Sequence, residues 1–465
     1  LKLLSRICAT AAVLATASAG WAQTTAPAPT SKPLNIDQAL EIAFCNNPDL
    51  RIATDAVNKS KGVVEEAQAR FNPAFNAQVV QLYQGPAVGF LNPLTGTSVP
   101  IIPPAQTSAQ VSVFLPLDIF GKLRYSHDIA TDQFQISYLS LLTTSQQLIE
   151  QVKRNYYELL RACGQAETAQ AAVDVAAERL KNTEARYKEG TVPKFDLTTA
   201  QVDLANLNQN LIAAQSRVNI AQANLNRVLG IAADSPTQVD KVEIPVSTYE
   251  VNIPDAISTA EALRPEVKIQ QTSVALNKTN IALQRTGAKP TLGISGHYDY
   301  VSTQSFSNQN FSYTAAATLS IPIWDGGVTK AKVDQAYADL YSSKDTLEQT
   351  KLRVSQEVSN AALVLVEAAK RTKSTAENVK LAEEALRLAN VRYDAGIAVL
   401  VEVTNAESQL TQARFNEVNA LYDYAIALAD LQRVTSTQPE TAKLCLLDYK
   451  PVLNLAEKPV EKPAK

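Results

Sequence analysis

Residues able to do chemistry are few in this chain, and their spacing decides which chemistry is open to them. The two histidines, His127 and His297, lie far apart, and no cysteine or glutamate cluster stands beside either, so neither begins a metal site. No Ser–His–Asp set, phosphate-cradling glycine loop or zinc-peptidase helix is written. The reading is of a non-enzyme with no cofactor. What does recur is "RYKEG" (186–190) followed by Asp196, and "RYDAG" (392–396) followed by Glu402. Gly190 and Gly396 suit the left-handed position that closes a helix. An acid in the first turn of the next helix is favoured by the helix dipole, by about 0.3–1 kcal/mol. Carboxylates so placed cap helices or concentrate cations; they do not make bonds.

The elements that position these residues are duplicated. One constant offset aligns Arg186-Tyr187 with Arg392-Tyr393, Pro116 with Pro322, Gly121 with Gly327, Asp196 with Glu402 and Arg227-Val228 with Arg433-Val434. An earlier echo sets "NNPDLRIA" (46–53) against "LRPEVKIQ" (263–270). A tandem repeat of one structural unit follows. The first copy is expected at 36–235, with a helical stretch to about 70, a β-hairpin at 74–116, a long helix at 121–189 and a helix at 194–229. After a linker at 236–254, the second copy is expected at 255–436, with a helical stretch to about 287, a hairpin at 290–322, a long helix at 327–394 and a helix at 398–434.

The long helices carry a seven-residue apolar spacing: Val333, Leu340, Leu347, Val354, Ala361, Ala368, Thr375, Ala382 and Ala389. A companion seam runs through Val358, Leu365, Thr372, Val379, Leu386 and Tyr393. A sustained period of seven predicts coiled-coil packing, with alanine allowing close approach.

The strands alternate. Leu292, Ile294, Tyr298 and Tyr300 oppose Thr291, Ser295, His297 and Asp299, and Tyr313, Ala315, Ala317, Leu319 and Ile321 oppose Ser312, Thr314, Thr318 and Ser320. Ala109, Val111, Val113 and Leu115 oppose Ser108, Gln110 and Ser112. Roughly 9–11 alternating residues is the length of a tilted membrane strand, although a soluble half-buried sheet shows the same pattern. Four strands cannot close a barrel, and lipid allows no open edge. A membrane reading therefore needs several copies to share one barrel, eight strands from two chains or twelve from three.

Composition agrees with long packed helices: 465 residues, 46% apolar with few aromatics, and only 15 glycines. A formal net charge of −3 does not favour nucleic acid. Residues 1–22 read as a signal peptide, with Lys2 and Arg6 before an apolar core and small residues at the cleavage site. Residues 23–35 read as a linker and 437–465 as a C-terminal segment ending in a disordered tail. Cys45, Cys163 and Cys445 would remain after cleavage, more readily as scattered thiols than as a Cys45–Cys445 bridge. The loop at 85–105, joining the first two strands, is rich in proline and apolar residues.

With "LPLDIFGKLR", "IPIWDGGVTK" and both tips in one chain, the sequence resembles the TolC-like outer-membrane efflux proteins over nearly all of its length. The resemblance implies a mainly α fold with a small antiparallel β part. Long helices would form an α-barrel tunnel joined to a 12-stranded transmembrane β-barrel, built by a homotrimer with four strands per chain. It also implies a passive exit duct for efflux or type I secretion in the outer-membrane lipid. The duct would meet a periplasmic adaptor and an inner-membrane pump of RND, ABC or MFS type. Residues carried over to the periplasmic gate are Glu402 and Asn405 at the constriction, and Asp196 and Tyr393 as a latch. Asn405 stands where the family has a second acid, and Ala398 where it has an arginine. The alternative is a periplasmic coiled-coil scaffold or adaptor, but no lipoyl-like module interrupts either hairpin.

Overall fold

The structure, a computed structural model, describes residues 33–437 apart from 84, 86–87, 92, 95, 97, 103–104, 247–250 and 303–308. The expected signal peptide, most of linker 23–35, nearly all of 437–465 and Cys445 lie outside the described residues.

Each copy opens with two helices where one stretch was expected: α1 (Ile36–Asn46) and α2 (Pro48–Ala69), then α5 (Ile253–Leu263) and α6 (Pro265–Arg285). The break falls before proline, whose ring excludes the helical conformation from the preceding residue. Asn47 and Arg264 accordingly adopt extended ψ angles of 124° and 127°. Asn47 turns the break into a cap, accepting from the N–H groups of Asp49 and Leu50.

Four strands form one antiparallel sheet in the order β1-β4-β5-β6: β1 (Ala74–Tyr83), β4 (Ala105–Leu117), β5 (Thr291–Val301) and β6 (Phe311–Ser320). The register stacks Ala77, Val111, Tyr298 and Tyr313 in one cross-strand row, and Gln78, Gln110, Asp299 and Ser312 in the next. Alternate rows thus give one apolar face and one polar face. The stretch 85–105 is not all loop: β2 (Val88–Leu91) and β3 (Ser98–Ile102) pair within it, since short β-branched and apolar runs favour extended pairing.

Gly121 (φ +81°) and Gly327 (φ +87°) lead into the two long helices, α3 (Lys122–Lys188) and α7 (Val328–Asp394). Each has 67 residues, about 100 Å at 1.5 Å per residue. They run the length of the molecule. On the sheet side the helices lie in the order α2–α3–α6–α7; towards the far end the order is α4–α3–α8–α7, with α4 (Lys194–Leu229) and α8 (Leu400–Val434). Every residue of the two seven-residue seams on α7 is buried or half-buried, so the spacing marks real helix contacts.

The largest core lies at mid-length, where α1 and α2 press Leu40, Phe44 and Leu50 against Ile149, Val152 and Leu225. Tyr156, buried within it, has its hydroxyl within 2.9 Å of both the Leu34 and Asp240 carbonyls, which ties the entering chain to the inter-copy segment. The second copy has a smaller counterpart around Val267, Val354 and Val358. Among the described residues, no helix is long and apolar enough to cross a membrane.

Candidate functional site: the hairpin tips and the seam between the copies

Both hairpins end in the same way. After α3, the N–H of Thr191 bonds to the Arg186 carbonyl (2.9 Å) and that of Gly190 to the Tyr187 carbonyl (3.0 Å). After α7, Ile397 bonds to Arg392 and Gly396 to Tyr393, both at 3.0 Å. This is the Schellman pattern, which satisfies the last carbonyls only if the next residue turns left-handed. Gly190 and Gly396 do so at φ +71° each. The following helices start at Lys194 and Leu400, which puts Asp196 and Glu402 in their first turns.

The charges at the tips are shared out unequally. Arg392 pairs with Glu402 of its own hairpin at 3.1 Å. Arg186, its equivalent, reaches across to the second copy, 3.4 Å from Asp394, with its guanidinium 5.5 Å from the centre of the Tyr393 ring. Glu402 and Asp196 are half-buried, and Asn405 is exposed. Among the described contacts none joins Asp196 to Tyr393; the face of Tyr393 is taken by Arg186. Ala398 brings no charge to the tip, and the arginine beside Glu402 is Arg392, one turn before the glycine.

Above the tips, α3 of the first copy and α8 of the second run antiparallel and exchange polar contacts along their length. Lys153 meets Gln432 (3.3 Å), Arg161 meets Asp423 (2.7 Å) and Gln165 donates to Asn419 (2.6 Å). Asp423 also takes Arg371 of α7 at 2.6 Å. Gly164 allows the close approach, since a Cβ there would stand 3.0 Å from a Val418 methyl. Nearer the tips, Arg179 binds Glu407, with Asp203 of α4 3.9 Å from the same guanidinium. Burial pushes the Glu407 carboxyl above its usual range; Arg179 opposes this and Asp203 adds to it.

None of these seam residues stood out in the sequence. A signal was nevertheless present: equivalent positions of the two copies carry opposite charges, Arg161 against Glu367 and Arg217 against Asp423. A repeat that packs against its sister needs such asymmetry. Among the described residues, no three His, Cys, Asp or Glu side chains gather as a metal set. His297 lies 3.4 Å from Asp299, itself bonded by Gln110. Cys45 is exposed on α1, and Cys163 is a half-buried thiol whose pKa burial raises.

Residues 39–231 and 256–437 match the family model described as outer membrane efflux protein. The chain is 23% identical over 309 residues to the outer membrane protein TolC of Vibrio cholerae serotype O1, covering 64% of this chain and 69% of that protein. It is 22% identical over 436 residues to the outer membrane protein TolC of Escherichia coli K12, covering 89% and 84%. The crystal structure of the Campylobacter jejuni CmeC outer membrane channel superposes with a TM-score of 0.75 at 15% identity, covering 88% of this chain and 87% of that one.

Proposed function

The chain belongs to the outer membrane efflux protein family, and on that premise we propose that three copies close into one exit duct through which cargo leaves the cell. The observation that carries this reading is that sheet and helical layer are both strips with matching open edges. The sheet ends in β1 on one side and β6 on the other, each with one ladder of backbone groups unused. The helical layer ends in α2 and α4 on the β1 side and in α7 on the β6 side. Those edge helices bare large apolar side chains, among them Phe195, Val202 and Ile212 on α4, and Leu363, Leu381 and Leu388 on α7. One copy's α7 and β6 can therefore meet the next copy's α4 and β1, a head-to-tail contact that closes into a ring.

Lipid adds the requirement that the ring be complete. The apolar sheet face exposes Phe75, Val79, Tyr298 and Tyr313, which suits hydrocarbon and the aromatic girdle at its border. Unpaired edges cannot stay in that medium. Two copies would give eight strands, an interior that side chains alone fill, whereas twelve is the next multiple of four and leaves a lumen. The polar rows, with Gln78, Gln110, His297 and Asp299, would line it.

Below the barrel, the hairpin tips would form the periplasmic mouth. Glu402, Asn405, Asp196 and Tyr393 would surround it, with Arg186 and Arg392 as the charges that hold it narrow. A periplasmic adaptor and an inner-membrane pump would engage there and supply the energy, the duct itself doing no covalent chemistry. Protein extracted from the outer-membrane fraction should have three times the chain mass by light scattering in detergent. A water-soluble monomer would sink the reading.

A further inference from the structure

The tip contacts are exposed: the Arg186 and Asp394 side chains retain 45% and 67% of their free surface. Exposed pairs of that kind hold little. Seven residues earlier on α3, about 10 Å along its axis, Arg179 and Glu407 retain 12% and 18%. This is the most enclosed charged link between the two hairpins among the described residues, and it is left incomplete. The Arg179 Nε and one oxygen of Asp203 are both buried without a hydrogen-bond partner. One guanidinium thus stands between two carboxylates: Glu407 on the opposite hairpin, which it binds, and Asp203 on its own, which it only approaches at 3.9 Å. A cavity of about 280 Å³ opens between α3, α7 and α8 beside the pair, lined by Arg179, Asn182, Arg186, Tyr393 and Glu407. Glu178 and Arg186 of α3 and Asp394 of α7 are the other charged groups on that cavity.

We propose that Arg179 is a transferable clamp: bound to Glu407 it holds the two hairpins together, and when they part it passes to Asp203. The inference rests on the exit-duct reading above and names a residue that sets how readily the duct opens. Its physical basis is the cost of leaving a buried charge unpaired. Had Arg179 only Glu407 to bind, separating the hairpins would strand both. Asp203 on the neighbouring α4 removes that penalty for the arginine, while Glu407 is free to rotate towards the cavity and solvent. Opening then exchanges one ion pair for another. The poor geometry to Asp203 in the present state is what a vacant second position looks like.

The two carboxylates consequently have opposite roles, which a merely structural cluster would not give them. Purified full-length protein is inserted in planar lipid bilayers, and conductance is read in potassium chloride. Glu407→Gln should raise the time-averaged conductance about threefold or more, because the closed position of the clamp is lost. Asp203→Asn should lower it below that of the unaltered protein, because the open position is lost. Oligomer mass and circular dichroism check that each variant is assembled. If Glu407→Gln does not assemble, Glu407→Asp, one methylene shorter, should raise conductance by a smaller factor. Two shifts of the same sign, or none, would overturn the clamp while leaving the duct intact. Absence of any conductance from the unaltered protein would instead overturn the duct.

Discussion

Arg264 at mid-length and Arg179 near the tips are both arginines enclosed among carboxylates, yet one is saturated and the other is not. Arg264 holds Glu266 with two bonds (3.0 and 3.3 Å) and Glu357 of α7 with a third (2.6 Å), and its side chain is 4% exposed. Burial pushes the Glu266 carboxyl up, but the bonds and charge of Arg264 outweigh it, and the net shift is downward. At Glu407 burial is opposed by a single arginine that Asp203 also attracts, and the net shift is upward. A saturated guanidinium fixes its surroundings, whereas an undersaturated one can change partners. The first suits the middle of the molecule, where the short helices brace the long ones. The second suits a place where two hairpins must separate.

The difference can be broken most directly at Arg264. Arg264→Met strips Glu266, 20% exposed, of its bonds, while Glu357, 35% exposed, keeps Arg353 at 3.8 Å; a loss of about 3 kcal/mol is expected, read as a large drop in the thermal midpoint of the detergent-extracted protein. A midpoint unchanged would mean the cluster is solvated and the contrast with Arg179 is false.

Acid should separate the two clusters by sign. Glu266, with a folded pKa below its unfolded one, gives stability that is present above the ordinary carboxylate range and lost as pH falls through the lowered value. Glu407 is the reverse, since its charged form is disfavoured by folding and that cost fades as pH falls through its raised value. The fall of the thermal midpoint on acidification should therefore be shallower in Arg264→Met and steeper in Glu407→Gln than in the unaltered chain. Equal slopes would contradict both assignments.

Backbone offers the next smaller test, at equivalent ends of α4 and α8. Gly230 has φ +73°, and a Cβ there would lie 2.5 Å from the Asn46 carbonyl oxygen. Its counterpart Ser436 is the one non-glycine residue with positive φ (53°) among the described residues. Gly230→Ala should cost about 1–3 kcal/mol, whereas Ser436→Gly should stabilise by about 1 kcal/mol. Both are measurable by chemical unfolding, and a harmless alanine at 230 would show that α1 can move away. Smallest for stability is the Arg392–Glu402 pair, whose side chains keep 56% and 42% of their free surface, worth less than about 1 kcal/mol. Glu402→Gln should leave the melting curve in place while reducing block of the bilayer conductance by divalent cations. Undiminished block would remove Glu402 from the mouth.

Much of this was legible along the chain. The tips could be read because a Schellman turn needs glycine at one position, and RYKEG and RYDAG place it twice. The coiled-coil seams and the two-faced strands could be read for the same reason: a helix and a strand display their period locally. Less legible were the breaks at Asn47 and Arg264. There the residue before proline ends one helix, and different side chains, an amide cap and an ion-pair cluster, settle the same position in the two copies.

The duplication, the faces of the strands and long helices and the residues at the tips follow from residue order alone, since each is a matter of neighbours or of fixed periods. Which charges meet is settled by packing: Arg186 with Asp394 rather than with its own hairpin, Glu402 with Arg392, and Arg179 between Glu407 and Asp203. The meetings between hairpins, Arg186 with Asp394 and Arg179 with Glu407, depend on the axial stagger and rotation of helices more than 200 positions apart. A shift of one residue along any of them, about 1.5 Å of rise and 100° of turn, would give every charge on the seam a different partner.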